Sequence, residues 1–530
     1  MSKWNAFVET LSFVPELEFR LDVSEMGITE QAWRGLERRL SSALEEMMAL
    51  EGGAIANPDE NRQVGHYWLR APDLAPDEKT RTAITETIDK VEVFGRKVRG
   101  GEIKPPGEPR FEALLLIGIG GSALGPQLAA DALSTKSDAL AIHFFDNTDP
   151  SGFHRVLEEL GETLDRTLVV VVSKSGGTRE TRNGLVEVCA ALEGRGRQPA
   201  AQLVAVTGEG SALEQRAEEE KWLRVFPMWD WVGGRCSQTS AVGLLPMSLL
   251  GHDFHALLDG ARKMDEATRH PDLRANPAAR LAAAWFLSGG GRGDRSMVVL
   301  PYKDRLLLFS RYLQQLVMES LGKRLDLEGN VVEQGLSVFG NKGSTDQHAF
   351  VQQLRDGRND FFVTFLGVVE DGIDAPLLEV EPGVTSGDYL LGFLYGTRRA
   401  LADSARPSLT ITIPRVDARS LGALIALFER AVGLYAFLAG INAYHQPGVE
   451  AGKKAATEVL DLQRELVAAM REAPRERLAA PVWARRVGRP EAAVEALAIL
   501  EHLASDSRRG VVAEGSLGSA DRLFGAETAR

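Results

Sequence analysis

Residues 168–181 read LVVVVSKSGGTRET. An unbroken run of leucine and valine is what a strand covered on both faces of a parallel sheet requires. The run stops at Ser173-Lys174-Ser175, and Gly176 and Gly177 follow. Thr178 then opens a segment whose apolar positions Leu185, Val188, Cys189 and Leu192 keep helical spacing. Hydroxyls and bare backbone N–H groups gathered where a strand ends and a helix begins favour an anion, because the helix start adds its partial positive charge. Ser173, the Lys174 backbone, Ser175 and Thr178 are therefore candidates to hold the terminal oxygens of a phosphomonoester.

One crossover earlier, ALLLIGIGGSALGP (113–126) repeats the arrangement, with Gly120, Gly121 and Ser122 after the strand. ALAIHFF (139–145), QLVAVT (202–207) and LRVFPM (223–228) supply further apolar runs, separated by stretches long enough for crossover helices. The rhythm restarts with SMVVLPY (296–302), DFFVTFLGV (360–368) and SLTITIP (408–414). The expected fold is α/β, with two doubly wound parallel-sheet domains at 106–285 and 286–465. A helical segment over 1–105 precedes them, bounded by the Pro- and Gly-rich GGEIKPPGEPR (100–110), and a C-terminal helical appendage and loose tail over 466–530 follows. A long buried helix is expected after Asp417, where LGALIALFERAVGLYAFLAG is apolar nearly all round.

With 530 residues, 44% of them hydrophobic and 25% charged, the chain is long enough for more than one core. Its net charge of −13 argues against nucleic acid or an anionic membrane as partner. Arg485, Arg486 and Arg489 make a basic group in the last part of the chain, which a helical cap accounts for more simply than a DNA-contacting module. Two cysteines, Cys189 and Cys236, point to a reducing compartment, and no HxxxH or CxxC pair suggests a metal site. The N-terminal stretch lacks the apolar core of a signal peptide, so the cytoplasm is the expected location.

Gly118-x-Gly120-x-x-Ala123 also matches the dinucleotide fingerprint with alanine in its last place, and Asp146 ends the next run about five residues later than that fingerprint asks. A nicotinamide-dependent oxidoreductase is thus one alternative. The same turn binds any phosphate or hydroxyl equally well, and no P-loop lysine pattern occurs.

Three further segments bear on the choice: WDWVGGRCSQTSAVGLLP (229–246), the stretch from VMESLGK to DQHAF (317–350), and INAYHQPGVEAGK (441–453). Together with the two glycine turns they resemble the glucose-6-phosphate isomerase family, in order, from about residue 80 to residue 460. The resemblance implies two sugar-isomerase α/β domains, a homodimer, no cofactor, and hexose 6-phosphates as substrates interconverted through a cis-enediol. It implies phosphate contacts from Ser173, the Lys174 backbone, Ser175 and Thr178, with Gly121 and Ser122 lining the sugar. Glu319 would be the base that moves the proton between C1 and C2. His348, reaching the site from the neighbouring subunit, and Lys453 would assist ring opening. Arg235 would stabilise the enediolate, and Gln315 and Gln446 would bind sugar hydroxyls. Cys236 departs from the family, which usually has an aromatic residue there.

The chemistry asks for these residue types on its own account. Moving a proton between adjacent carbons needs one carboxylate that reaches both and can return what it takes. Gln315 and Glu319, four residues apart in RLLLFSRYLQQLVMES, share one edge of a helix that buries Phe309, Leu313, Leu316 and Val317. Arg235 follows two glycines and offers an always-charged donor to developing negative charge. An imidazole such as that of His348 can act as acid or base near neutrality. Lys453, taken without its surroundings, reads as a solvated surface charge. Two alternatives share the architecture: an isomerase that also accepts mannose 6-phosphate, and a non-catalytic sugar-phosphate sensor, which would have no use for a proton-transfer base.

Overall fold

The computed structural model describes residues 2–372 and 376–527. Residues 1–445 form one compact unit and residues 446–530 a second.

The first unit is built on two sheets. In the first, five parallel strands lie in the order Ala141–Phe145, Ala113–Ile117, Thr167–Ser173, Leu203–Thr207, Arg224–Pro227. The central strands are wholly buried, as their unbroken apolar runs require. Ala141–Phe145 is an edge strand and only partly covered, so the both-faces burial expected of HFF does not hold there. The chain steps from Ala113–Ile117 to one side and from Thr167–Ser173 to the other. The crevice between the carboxyl ends of these two neighbours is the point where such sheets bind ligands.

The second sheet repeats that switch. Val338–Phe339, Ser296–Pro301, Phe361–Val368 and Ser408–Ile413 run parallel, and Phe19–Asp22 and Leu11–Val14 add on antiparallel. This hairpin corrects the all-helical expectation for residues 1–105. Pro15 breaks the chain between two short segments that alternate buried and exposed side chains, and Leu21 pairs with Ile411 and is fully buried. The rest of that segment does carry helices, at Lys3–Thr10, Glu30–Glu51 and Glu78–Arg99.

Helix Ala418–Ala439 runs through the core. Asp417 caps its start by accepting a hydrogen bond from Ser420 N at 2.7 Å, and Gly440 in the left-handed region ends it. It is long and apolar enough to cross a membrane, but 94% of its apolar window is buried inside the fold, which accounts for its composition.

The second unit holds helices Pro447–Glu472, Ala480–Arg486 and Ala493–Ala504 around a cluster of its own that includes Trp483, Leu500 and Phe524. Its final stretch is not a loose tail. Leu523–Ala526 is the middle strand of a three-stranded sheet with Leu478–Ala479 and Val511–Glu514, and Phe524 is fully buried, its carbonyl accepting the Trp483 indole N–H at 2.9 Å. Arg486 and Arg489 are paired with Glu476 and Glu465, so most of the basic group seen in the sequence is neutralised locally.

Candidate active site

The turn over residues 173–178 follows directly from the strand before it. Ser173 is the last, buried residue of its strand, and its Oγ donates to Thr178 Oγ1 at 3.2 Å. Thr178 occupies the N-cap of helix Arg179–Gly194 without a capping side-chain bond, and the start of a helix favours an anion. Ser175 is exposed, and its Oγ accepts from Gly177 N at 3.2 Å. Gly176 has φ +69°, and a Cβ there would lie 2.6 Å from Leu213 N, so only glycine makes this turn.

Lys174 turns its side chain away from the turn. Its Nζ donates to Asp230 O at 2.8 Å and Val232 O at 3.0 Å, tying this turn to the loop that leads into Arg235. Burial, with Arg62 next, lowers this ammonium to about 8 against Asp230 and Glu60.

The turn Gly120–Ser122 meets the same loop. Gly120 adopts φ +58°, and a Cβ on it would lie 3.1 Å from the Gln315 amide nitrogen. Gly121 packs backbone to backbone on Gly234. Ser237 Oγ donates to Gly121 O at 3.1 Å and Gly234 O at 2.8 Å, fastening the two turns together. Ser122 is partly exposed beside them, on the short 3₁₀ turn Gly120–Ser122.

Arg235 is 5% exposed, and its Nη1 is buried without a hydrogen-bond partner. The Tyr312 hydroxyl donates to its carbonyl at 3.4 Å, linking this loop to the segment that carries Gln315 and Glu319. That segment is not the single regular helix expected. Helix Phe309–Leu313 passes into a π-helical turn over Gln314–Glu319. Such turns widen the backbone and recur where a side chain must be aimed. Glu319 is partly buried, and its Oε2 is enclosed with no partner among the described residues. A buried unpaired guanidinium nitrogen and a buried unpaired carboxylate oxygen, beside two glycine turns, are groups waiting for a polar ligand.

His348 is exposed on the 3₁₀ turn Thr345–His348, and its side chain makes no hydrogen bond among the described residues. Gln446 is exposed at the N-cap of helix Pro447–Glu472 in the second unit. Lys453 lies on that helix, and its side chain is outside the described residues.

Behind Arg235 lies a buried ionic network that sequence reasoning missed. Arg70 makes a bidentate pair with Asp265, at 2.6 and 2.9 Å, and also meets Glu429. Arg430 joins Asp265 at 2.9 Å and Glu51, and Arg269 also meets Glu51 at 2.8 Å. Burial alone would raise the Asp265 carboxyl, but Arg430 and Arg70 outweigh it and bring it to about 2. Burial raises Glu429 to about 6, against the pull of Arg70. Its members are scattered from residue 51 to residue 430, and nothing in the local pattern of the sequence flags them.

His66, Cys236 and Glu429 carry donor atoms within 4.8 Å of one another. Glu429 is already paired with Arg70, and Arg70, Arg235 and Arg430 act on the same group. This is an unfavourable setting for a metal cation. Cys236 is buried there, and its thiol is pushed well up by that burial and by Glu429.

The second sheet has the same switch point but fills it from within. Asp371 packs on the start of helix Ser386–Asp403, where a Cβ on Gly387 would lie 2.4 Å from its carboxylate oxygens, and Thr385 and Asp388 close a capping box. Lys303 Nζ donates to Glu370 O at 3.1 Å and Asp371 O at 2.5 Å. The chain's own carboxylates thus occupy the helix start that stays open in the first sheet.

Comparison with known proteins agrees with this geometry. The phosphoglucose isomerase family matches residues 24–376 and 399–473. A glucose-6-phosphate isomerase of Synechococcus sp. (strain JA-2-3B'a(2-13)) is 58% identical over 515 residues, covering 97% of this chain and 96% of its own length. One from Geobacter sp. (strain M21) is 56% identical, covering 96% of each chain. The crystal structure of a glucose-6-phosphate isomerase from Chlamydia trachomatis superposes with a TM-score of 0.78 at 28% identity, covering 87% of this chain and 91% of that one. The chain belongs to the phosphoglucose isomerase family.

Proposed function

We propose that the chain catalyses the reversible interconversion of glucose 6-phosphate and fructose 6-phosphate, with Glu319 as the single proton-transfer base. The observation that supports this most directly is the pairing of two unsatisfied buried groups, Glu319 Oε2 and Arg235 Nη1, on segments joined to the glycine turns.

In this reading Ser173, Ser175, Thr178 and the first-turn N–H groups hold the phosphate, while Gly121, Ser122, Gln315 and Gln446 meet the sugar. Once the ring is open, Glu319 takes the proton from C2 of the aldose as O1 gains one, which leaves a cis-enediol. The carboxylic acid then delivers its proton to C1 while the O2 hydroxyl loses one, and the ketose results. C1 is reduced and C2 oxidised within one molecule, so the electrons balance without an external acceptor. Arg235 offsets the negative charge that develops on the enediolate oxygens.

Ring opening is assigned to Lys453 and to His348 of a second copy of the chain. The exposure of His348 and the absence of a side-chain hydrogen bond to it among the described residues suit a side chain that works in a neighbour's site. The homodimer and a cytoplasmic location belong to the same proposal, and Cys189 and Cys236, both buried and free, fit a reducing compartment. A coupled assay following glucose 6-phosphate formation from fructose 6-phosphate in metal-free buffer tests the activity. Turnover is expected, and a folded protein that binds the sugar phosphate without turnover would support the sensor reading instead.

A further inference from the structure

The turn that presents Glu319 ends on a buried cation. Gly322 N donates to Met318 O at 2.8 Å, and a Cβ on Gly322 would lie 2.7 Å from that oxygen, so the chain reverses sharply here. Lys323, 5% exposed, then opens the short strand Lys323–Leu325 and sends its side chain back under the turn. Its Nζ donates to Glu319 O at 2.7 Å and Ser320 O at 2.8 Å. These carbonyls close the helical segment and have lost their own helical donors, and a cation at that end is favourable. An ammonium has three protons, and these bonds use two of them. The charged groups that act on it are Arg235, Glu319 and Asp59. Burying a lysine where hydrophobic packing would serve is costly, which points to a use for the charge.

We propose that Lys323 is a positioning residue of the isomerisation: it clamps the two carbonyls that end the Glu319 turn and keeps positive charge behind the Glu319 carboxylate. The proposal rests on the reading of Glu319 as the base. Burial, with Arg235 next, lowers the Lys323 ammonium to about 7 against Glu319 and Asp59. Through the acidic range Lys323 therefore carries its full charge.

The test compares Lys323→Met, Lys323→Arg and Glu319→Gln. Each is checked for folding by circular dichroism and for binding of a non-isomerisable hexitol 6-phosphate. K323M should lower kcat about 10–100-fold with KM within about 3-fold, because the phosphate grip is intact while the base is displaced. The acid limb of its kcat/KM profile should move to higher pH by about half a unit or more, since a cation near the carboxylate has gone. K323R should restore most of kcat and leave the limb in place.

A K323M enzyme with wild-type kcat and an unmoved limb would overturn the proposal. So would a loss of kcat with an unmoved limb that K323R does not restore, because packing alone would explain it. If K323M fails to fold, the kcat and acid limb of K323R decide, and a large loss with a displaced limb counts against the clamp. Near-normal turnover in E319Q would remove the reading of Glu319 and the proposal with it, whereas an inactive E319Q beside an unaffected K323M removes the proposal alone.

Discussion

Gly121 and Gly234 approach so closely that a Cβ on Gly121 would lie 2.2 Å from the Gly234 carbonyl oxygen. The contact joins the turn Gly120–Ser122 to the loop that carries Arg235, and Ser237 hydrogen-bonds both carbonyls across it. Any side chain on Gly121 must push the Arg235 loop aside. Gly121→Ala should therefore lower kcat by about 10–100-fold, a cost typical of displacing a reacting group by about an ångström. Gly233→Ala is the control, since a Cβ there meets nothing within 4 Å and its φ of −70° suits any residue. Steady-state kinetics of the two variants check this pair.

Arg235 is expected to act on the enediolate more than on bound sugar. Arg235→Met should lower kcat by about 10²–10³-fold while KM changes little, the range for losing one donor to a developing oxyanion. Arg235→Lys should recover only part of this, because an ammonium does not reproduce the guanidinium fork. A KM that rises as steeply as kcat falls would assign Arg235 to ground-state binding instead.

The phosphate turn should show the opposite split. Ser173→Ala and Thr178→Val each remove a hydroxyl from the anion site, and a hydrogen bond to a charged group is worth about 1.5–3 kcal/mol. KM for fructose 6-phosphate should rise about tenfold or more, with kcat affected less. Inorganic phosphate, as a competitive inhibitor, should weaken in parallel.

How much of this was legible depends on whether a residue's environment is local. Thr167–Ser173 and Ala113–Ile117 could be read because burial on both faces writes itself as a continuous apolar run, and the glycines after them mark the turns. The edge strand and the hairpin Leu11–Val14 with Phe19–Asp22 were harder, since four-residue segments that borrow a distant sheet carry little pattern. Leu523–Ala526 hid among glycine, serine and charged residues, although Phe524 packs at the centre of its unit. Glu319 lies half-buried on a helical segment, but its π turn is invisible in the sequence, because α and π turns draw on the same residues. Arg70, Asp265, Glu429 and Arg430 could not be read at all, since each is an ordinary charged residue until the fold brings them together.

That network governs stability. Removing one partner strands a buried charge, so Asp265→Asn should cost about 3–5 kcal/mol in urea unfolding at neutral pH. The Asp265 carboxyl is depressed to about 2 from an ordinary 3.8. The folded state therefore binds fewer protons than the unfolded one between these values, and stability rises with pH across that window. The wild type should keep this contribution above about pH 4 and lose it as pH falls toward 2, and the variant should lack that limb.

The proposed sharing of a site between two copies of the chain predicts complementation. Glu319→Gln and His348→Ala homodimers should each be nearly inactive. Co-refolded in equal amounts, they should regain roughly a quarter of wild-type activity, because half of the dimers pair the two variants and one of the two sites in each is then intact. No recovery from subunits that do exchange would place His348 in its own chain's site or outside the chemistry.

Exchange at carbon tests the central claim most directly. Fructose 6-phosphate is incubated in deuterium oxide with wild-type enzyme and with Glu319→Gln, and label at C1 and C2 of the recovered hexose phosphates is followed by NMR. The wild type should incorporate deuterium at C2 of glucose 6-phosphate and exchange at C1 of the ketose. The variant should do neither while still binding a hexitol 6-phosphate. Exchange at either carbon in Glu319→Gln at a rate near that of the wild type would show that another group moves the proton.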